Sequence, residues 1–169
     1  DNQPLKPKHH LPVSIAGVQD GDFSMIMGYP GSTDRYLSSY GVKQAIDIHN
    51  PSVVEVRDLK LKTMKKHMNA DPAVRLQYAA KHAQTANYWK YYIGQTKGLK
   101  RLDVYGQKKE LENQFQKWAT ADSKRESIYG DALSMMEAFY KSTDATEKGN
   151  VYSLEAGLIG ADITLFSFR

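Results

Sequence analysis

The stretch from Asp71 to Gly94, DPAVRLQYAAKHAQTANYWKYYIG, decides the fold of this chain. Asp71 is suited to cap a first turn, and Pro72 suits the first helical position, where a missing N–H has no partner to lose. Frequent alanine keeps helix propensity high as far as Gly94, a natural stop. Leu76, Ala79, Ala83, Ala86 and Ile93 recur at helical spacing and define a face expected to pack inward. A second stripe, Tyr78, Thr85, Trp89 and Tyr92, is mainly aromatic. Asn87 lies between the stripes, four residues after Ala83. An asparagine there serves either as a buried cross-link between helices or as a ligand-binding amide.

Outward from this helix the pattern stays helical. Asn50-Pro51 repeats the cap-and-proline start, with Val54, Leu61, Met64 and Met68 as the inward face of a helix ending near Asn69. A third helix is expected over Leu99–Thr120, facing inward through Val104, Leu111, Phe115 and Trp118. A fourth opens on the capping box Ser123-Lys-Arg-Glu126 and buries Ile128, Ala132, Met135, Met136 and Phe139. A fifth begins near Lys148 with Val151, Leu154, Leu158 and Leu165 inward. The expectation is a mainly α chain, a bundle of about five helices joined by short links.

A short β segment is expected before the helices. Leu11–Ile15 and Phe23–Met27 alternate apolar and polar residues, Tyr36–Val42 is a third strand candidate, and Gly21-Asp22 marks a turn. Two or three strands cannot make a core of their own, so they complete a sheet elsewhere or lie on the helices. The boundary is drawn at Asp47 to Pro51, giving residues 1–47 as the β segment and 48–169 as the helical domain. The chain opens on Asp1 rather than Met and reaches Arg169 without a terminal signal, so it is expected to be part of a longer protein, cut short at its C-terminus.

Among 169 residues there is no cysteine, which removes disulfides, thiolate catalysis and cysteine-bound zinc. The 23 basic and 19 acidic residues are interspersed, a solvated mixed surface rather than a nucleic-acid footprint. No apolar run is long enough to span a bilayer as a helix. Gly28-Tyr-Pro-Gly-Ser-Thr33 lacks the lysine of a phosphate loop, and Pro30 removes a cradling N–H, so it reads as a structural turn. His9, His10, His49, His67 and His82 form no ligand pattern, so no metal and no cofactor are expected. Lys60, Lys62, Lys65 and Lys66 are placed on the solvent face opposite Met64 and Met68. No serine stands in a nucleophile-elbow context, and no carboxylate pair identifies itself as an acid–base couple. Two non-enzymatic roles fit these residues: a helical interaction module with the aromatic stripe as docking surface, and a nucleic-acid-binding bundle.

Two stretches carry a resemblance. Gly21 to Gly41, GDFSMIMGYPGSTDRYLSSYG, resembles the segment after the catalytic aspartate in the bacterial dipeptidyl-peptidases of serine peptidase family forty-six, the seven and eleven type. Ile48 to Trp118, with Arg57-Asp-Leu-Lys-Leu61, the Asp71–Ala80 run and Asn87-Tyr-Trp89, is similar to the start of that family's helical domain. The resemblance implies a parent with a chymotrypsin-like double barrel and a serine-histidine-aspartate triad, and a helical domain inserted before the serine that caps the cleft. Residues 1–47 would belong to the barrel and 48–169 to the helical domain. The triad would lie outside this chain, so no catalytic residue is assigned here and the chain alone would be inactive. The family's asparagine that helps bind the substrate α-ammonium matches Asn87. Ser32 stands where the family pattern carries arginine. The implied partners are the N-terminus of a peptide substrate, the rest of the catalytic domain and a second subunit of a homodimer. The implied location is the periplasm or cell surface.

Overall fold

The computed structural model describes residues 3–29 and 31–167. The chain divides into two compact units, Asp1–Asp34 and Arg35–Arg169. The first has no strand among its described residues. Leu11–Ile15 and Phe23–Met27 form no ladder, so the expected β segment is not seen; two short runs do not make a sheet core by themselves. The Gly21-Asp22 turn forms: the Gln19 N–H donates to Asp22 Oδ2 at 2.7 Å, the Asp22 N–H returns to the Gln19 carbonyl at 3.1 Å, and Gly21 takes a φ of 92°. Within the Gly28–Thr33 turn, bends stand at Gly28 and Gly31, and Pro30 lies outside the described residues.

The second unit is helical. Its elements are α1 (Ser39–Gln44), a π-helical stretch Ala45–His49, α2 (Asn50–Ala70), α3 (Pro72–Arg101), α4 (Val104–Thr120), α5 (Ser123–Tyr129), α6 (Ala132–Tyr152), a second π-helical stretch Ser153–Leu158, and α7 (Asp162–Phe166). The mainly α bundle stands. The third strand candidate does not, because Ser38 caps a helix there through its side chain and the Gly41 N–H. The expected boundary at Asp47 to Pro51 lies inside continuous helix.

Pro51 explains the π-helical stretch before it. A proline inside a helix lacks the N–H for residue 47 and its ring presses on that carbonyl. Widening the preceding turn to π geometry relieves the clash without ending the helix. Asn50 is therefore not a cap. It is 1% exposed, and its amide donates to Gln95 Oε1 at 2.9 Å and Thr96 Oγ1 at 3.0 Å on α3. The buried cross-linking asparagine exists, at position 50.

At the other end, α2 and α3 turn back on one another through Asp71 alone. Its side chain accepts from the Ala73 N–H at 2.7 Å, as its position predicts. Arg75 closes α2 from the facing helix, donating to the Met68 carbonyl and to Asn69 Oδ1. Gly94 does not stop α3. Helical bonding runs on to Arg101, held by Gln95 and Thr96 against Asn50, and the break comes at Asp103, whose backbone is left-handed and whose side chain caps α4 by accepting the Gly106 N–H.

The packed faces differ from those expected on α3. Thr85 is buried and Tyr78, Trp89 and Tyr92 are half-buried; of the expected face Ala86 and Ile93 are half-buried too, whereas Ala79 and Ala83 are exposed and Leu76 is 84% exposed. Aromatic side chains remove more apolar area from water than alanines, so the aromatic stripe takes the interior. On α2 the expected face holds, with Met64 buried and Val54, Leu61 and Met68 half-buried. In place of the expected capping box, the cap lies one residue earlier, at Asp122, whose carboxylate accepts from the Lys124 and Arg125 N–H groups. Ile128, Met135, Met136 and Phe139 are exposed, and Lys148 lies within α6 rather than at a helix start.

The Asn50 bridge sets the register of α2 against α3. Asn50→Ala leaves the Gln95 carbonyl and the Thr96 hydroxyl without their buried donor, and is expected to cost about 2 kcal/mol. Urea unfolding checks this: the midpoint should fall while the m-value holds.

Candidate functional site

A cleft of about 600 Å³ lies on the α2–α3 hairpin, closed on one side by the stretch after α6. The helical repeat places its walls. Arg57 and Lys60 are one turn apart on α2, and Gln77, Lys81, Gln84 and Tyr88 line α3 at helical spacing. Glu155 and Ile159 complete it. The Arg57 guanidinium donates through Nε to Glu155 Oε2 at 2.8 Å and through Nη2 to Oε1 at 2.7 Å, a bidentate pair. Its side chains are 13% and 9% exposed. The same guanidinium lies over the Tyr88 ring, 5.1 Å from its centroid.

The remaining charges are arranged around this pair. Lys81 pairs with Asp162. Lys60 turns into the cleft instead of facing solvent, and its Nζ donates to the Ile159 carbonyl at 2.6 Å, closing the end of the second π-helical stretch. Lys62 does occupy the outer face, paired with Asp58 at 2.6 Å. Burial pushes the Lys60 amine below its ordinary range. The Lys81 cation adds to that push, and Glu155 opposes it. Burial likewise raises the Tyr92 phenol.

Asn87 does not line the cleft. It stands three residues after Gln84 and seven after Ala80, both of which do, so it occupies the outer lip of the same helix. It is exposed, and among the described residues no hydrogen bond engages its amide, which removes the cross-link reading. Of its helical neighbours at three and four residues, Ala83 is small and exposed, while Gln84, Lys90 and Tyr91 carry long, exposed side chains. Two residues on, the Trp89 indole N–H is buried with no acceptor among the described residues. Arg57, Tyr88 and Glu155 were not assigned roles from sequence. Glu155 lies about a hundred residues from Arg57, and only the fold joins them. No group of three metal-ligating side chains occurs among the described residues.

With the geometry in place, comparison with known proteins is informative. Residues 1–167 match the family described as Peptidase S46. The chain is 42% identical over 167 residues to a dipeptidyl-peptidase 7 of Porphyromonas gingivalis, covering 99% of this chain and 23% of that protein. It is 44% identical over 140 residues to an Asp/Glu-specific dipeptidyl-peptidase of Flavobacterium psychrophilum, covering 83% and 20%. A dipeptidyl-peptidase 7 of Porphyromonas endodontalis matches at 41% over 163 residues, 96% and 20%. The chain thus spans about a fifth of the length of these curated relatives.

The sign of the Lys60 shift gives a test. A lysine whose folded pKa is lowered carries its full cost below that pKa. The cost fades as pH rises through the folded value toward the unfolded 10.5. An NMR titration of the lysine side chains should therefore find a Lys60 midpoint below 10.5. In Glu155→Gln the midpoint should drop further, because the opposing carboxylate charge is gone.

Proposed function

The chain belongs to the peptidase S46 family, and on that premise we propose that it is a segment of a serine-type dipeptidyl-peptidase that releases dipeptides from free peptide N-termini. The observation that carries this reading is the match over essentially the whole chain to relatives named dipeptidyl-peptidase. The first compact unit, Asp1–Asp34, is assigned to the catalytic part, and the helical unit, Arg35–Arg169, to a domain that caps the cleft. The serine-histidine-aspartate triad is assigned to the rest of the parent, which acts as a homodimer in the periplasm or at the cell surface.

Asn87 is the substrate-binding residue in this reading. Its exposure and its lack of a hydrogen-bond partner among the described residues support that role. An ammonium group donates three hydrogen bonds and needs acceptors that converge from a rigid wall. The Asn87 carbonyl oxygen is one such acceptor, carried on a 30-residue helix. Fixing the amine places the second peptide carbonyl in front of the serine, so that binding at a non-reacting end becomes orientation at the reacting one. A helical cap also closes one end of the cleft, which limits cleavage to two residues from the N-terminus.

In the full-length peptidase, Asn87→Ala removes a hydrogen bond to a charged group, so kcat/KM for dipeptidyl substrates should fall about tenfold or more. The rise in KM should dominate, with the thermal midpoint unchanged, since the side chain is exposed. Unaltered kinetics would refute the assignment. The 169-residue chain alone should give no turnover of a fluorogenic dipeptide above buffer. Measurable turnover would place catalytic groups within it.

A further inference from the structure

No hydrogen bond among the described residues orients the Asn87 amide, so its aim depends on how α3 is seated. The seat lies at the adjacent residue. Tyr88 receives the Arg57 guanidinium on its ring face, while the guanidinium edge grips both oxygens of Glu155. Lys60, one turn along α2, holds the Ile159 carbonyl, four residues beyond Glu155. Two cations on α2 thereby fasten the stretch after α6 at two points, with the guanidinium filling the gap to α3.

A nearly dry ion pair is a poor way to gain stability, because desolvating both charges offsets most of their attraction. What the planar fork offers is geometry: two parallel bonds to a carboxylate on its edge and a flat face for an aromatic ring. We propose that Arg57 and Glu155 form a positioning clamp that sets the roll of α3 through Tyr88 and so aims the Asn87 amide. This rests on Asn87 being the ammonium acceptor. The lever is sensitive. For an amide about 6 Å from a helix axis, a roll of about 10° moves it about 1 Å, enough to spoil a positioned contact.

The test uses the full-length peptidase and two fluorogenic dipeptidyl substrates that differ only in the α-amine, present in one and replaced by hydrogen in the other. The ratio of their kcat/KM values measures how well the amine is used. Asn87→Ala should lower that ratio. Arg57→Lys, which keeps the charge and loses the fork, should lower it about tenfold, through KM more than kcat. Tyr88→Leu should do the same with the ion pair intact, whereas Tyr88→Phe should hold the ratio within about twofold. Arg57→Lys combined with Asn87→Ala should lose no more than Asn87→Ala alone, because both act on one contact.

An unchanged ratio in Arg57→Lys and Tyr88→Leu, alongside a lowered ratio in Asn87→Ala, overturns the clamp and leaves the ammonium reading standing. That holds even where the thermal midpoint falls, since such a fall alone marks a structural role. An additive double variant overturns it equally. An unchanged ratio in Asn87→Ala overturns the ammonium reading itself. If Arg57→Lys does not fold, the Tyr88→Leu and Tyr88→Phe pair decides the matter.

Discussion

The buried amide of Asn50 fixes the relation of the two longest helices, and much else follows from it. Its bonds to Gln95 and Thr96 settle which residue of α2 faces which residue of α3. In an antiparallel pair, each step forward on one helix matches a step backward on the other. Arg57 lies seven residues after Asn50 and Tyr88 seven before Gln95, and these are the two that stack. Lys60 and Thr85, a further turn along, line one cleft. An apolar contact at position 50 would tolerate sliding by a turn, because leucine-like faces are interchangeable at helical spacing. A buried amide does not, since a slip strands its donors and acceptors.

Buried polar groups recur because the apolar core is small. Val42, Ile46, Val53, Met64, Ala119 and Val151 are its buried members among the described residues, beside Ser39, Asn50, Ser52, Thr85, Glu112 and Glu155. Glu112 illustrates the pattern: from the middle of α4 it accepts the Ser39 backbone N–H at 2.7 Å and its hydroxyl at 2.5 Å, holding the start of α1. Such pairs confer specificity of arrangement more than net stability.

Local rules of sequence were legible wherever the controlling neighbours are local. Asp71, Pro72 and the inward face of α2 needed no tertiary knowledge. Where a residue's meaning depends on distant partners, local rules misread it. Asn50-Pro51 has the form of a helix start, yet α1 arrives from upstream and the proline is absorbed by π geometry. Gly94 has the form of a stop, but the bridge beyond it holds the helix together. Periodicity found both stripes of α3 and ranked them wrongly, because it counts positions while burial follows area. The stripe through Met135, Met136 and Phe139 is periodic yet exposed. Periodicity records that a face is apolar, and what covers it is a separate matter in a chain spanning about a fifth of its relatives' length. Of the site, Asn87 was reached through resemblance, while the Arg57–Glu155 pair joins residues that no local pattern links.

Under the proposed function, the acceptor for the ammonium is a neutral amide on an exposed helix face. An amide oxygen carries only a partial charge and satisfies one of three ammonium donors, so Asn87 cannot hold the amine by itself. A carboxylate at the same position would bind more strongly but would also attract lysine side chains and free cations when the cleft is open. With the amide, affinity develops only once further acceptors close around the amine and water is excluded. In that reading, recognition of the N-terminus depends on assembly of the whole cleft. A wall bearing one weak, well-aimed acceptor is what such an arrangement requires of this segment. In the proposed reading the demand falls on aim rather than on charge, and the helix seat at Tyr88 would supply that aim.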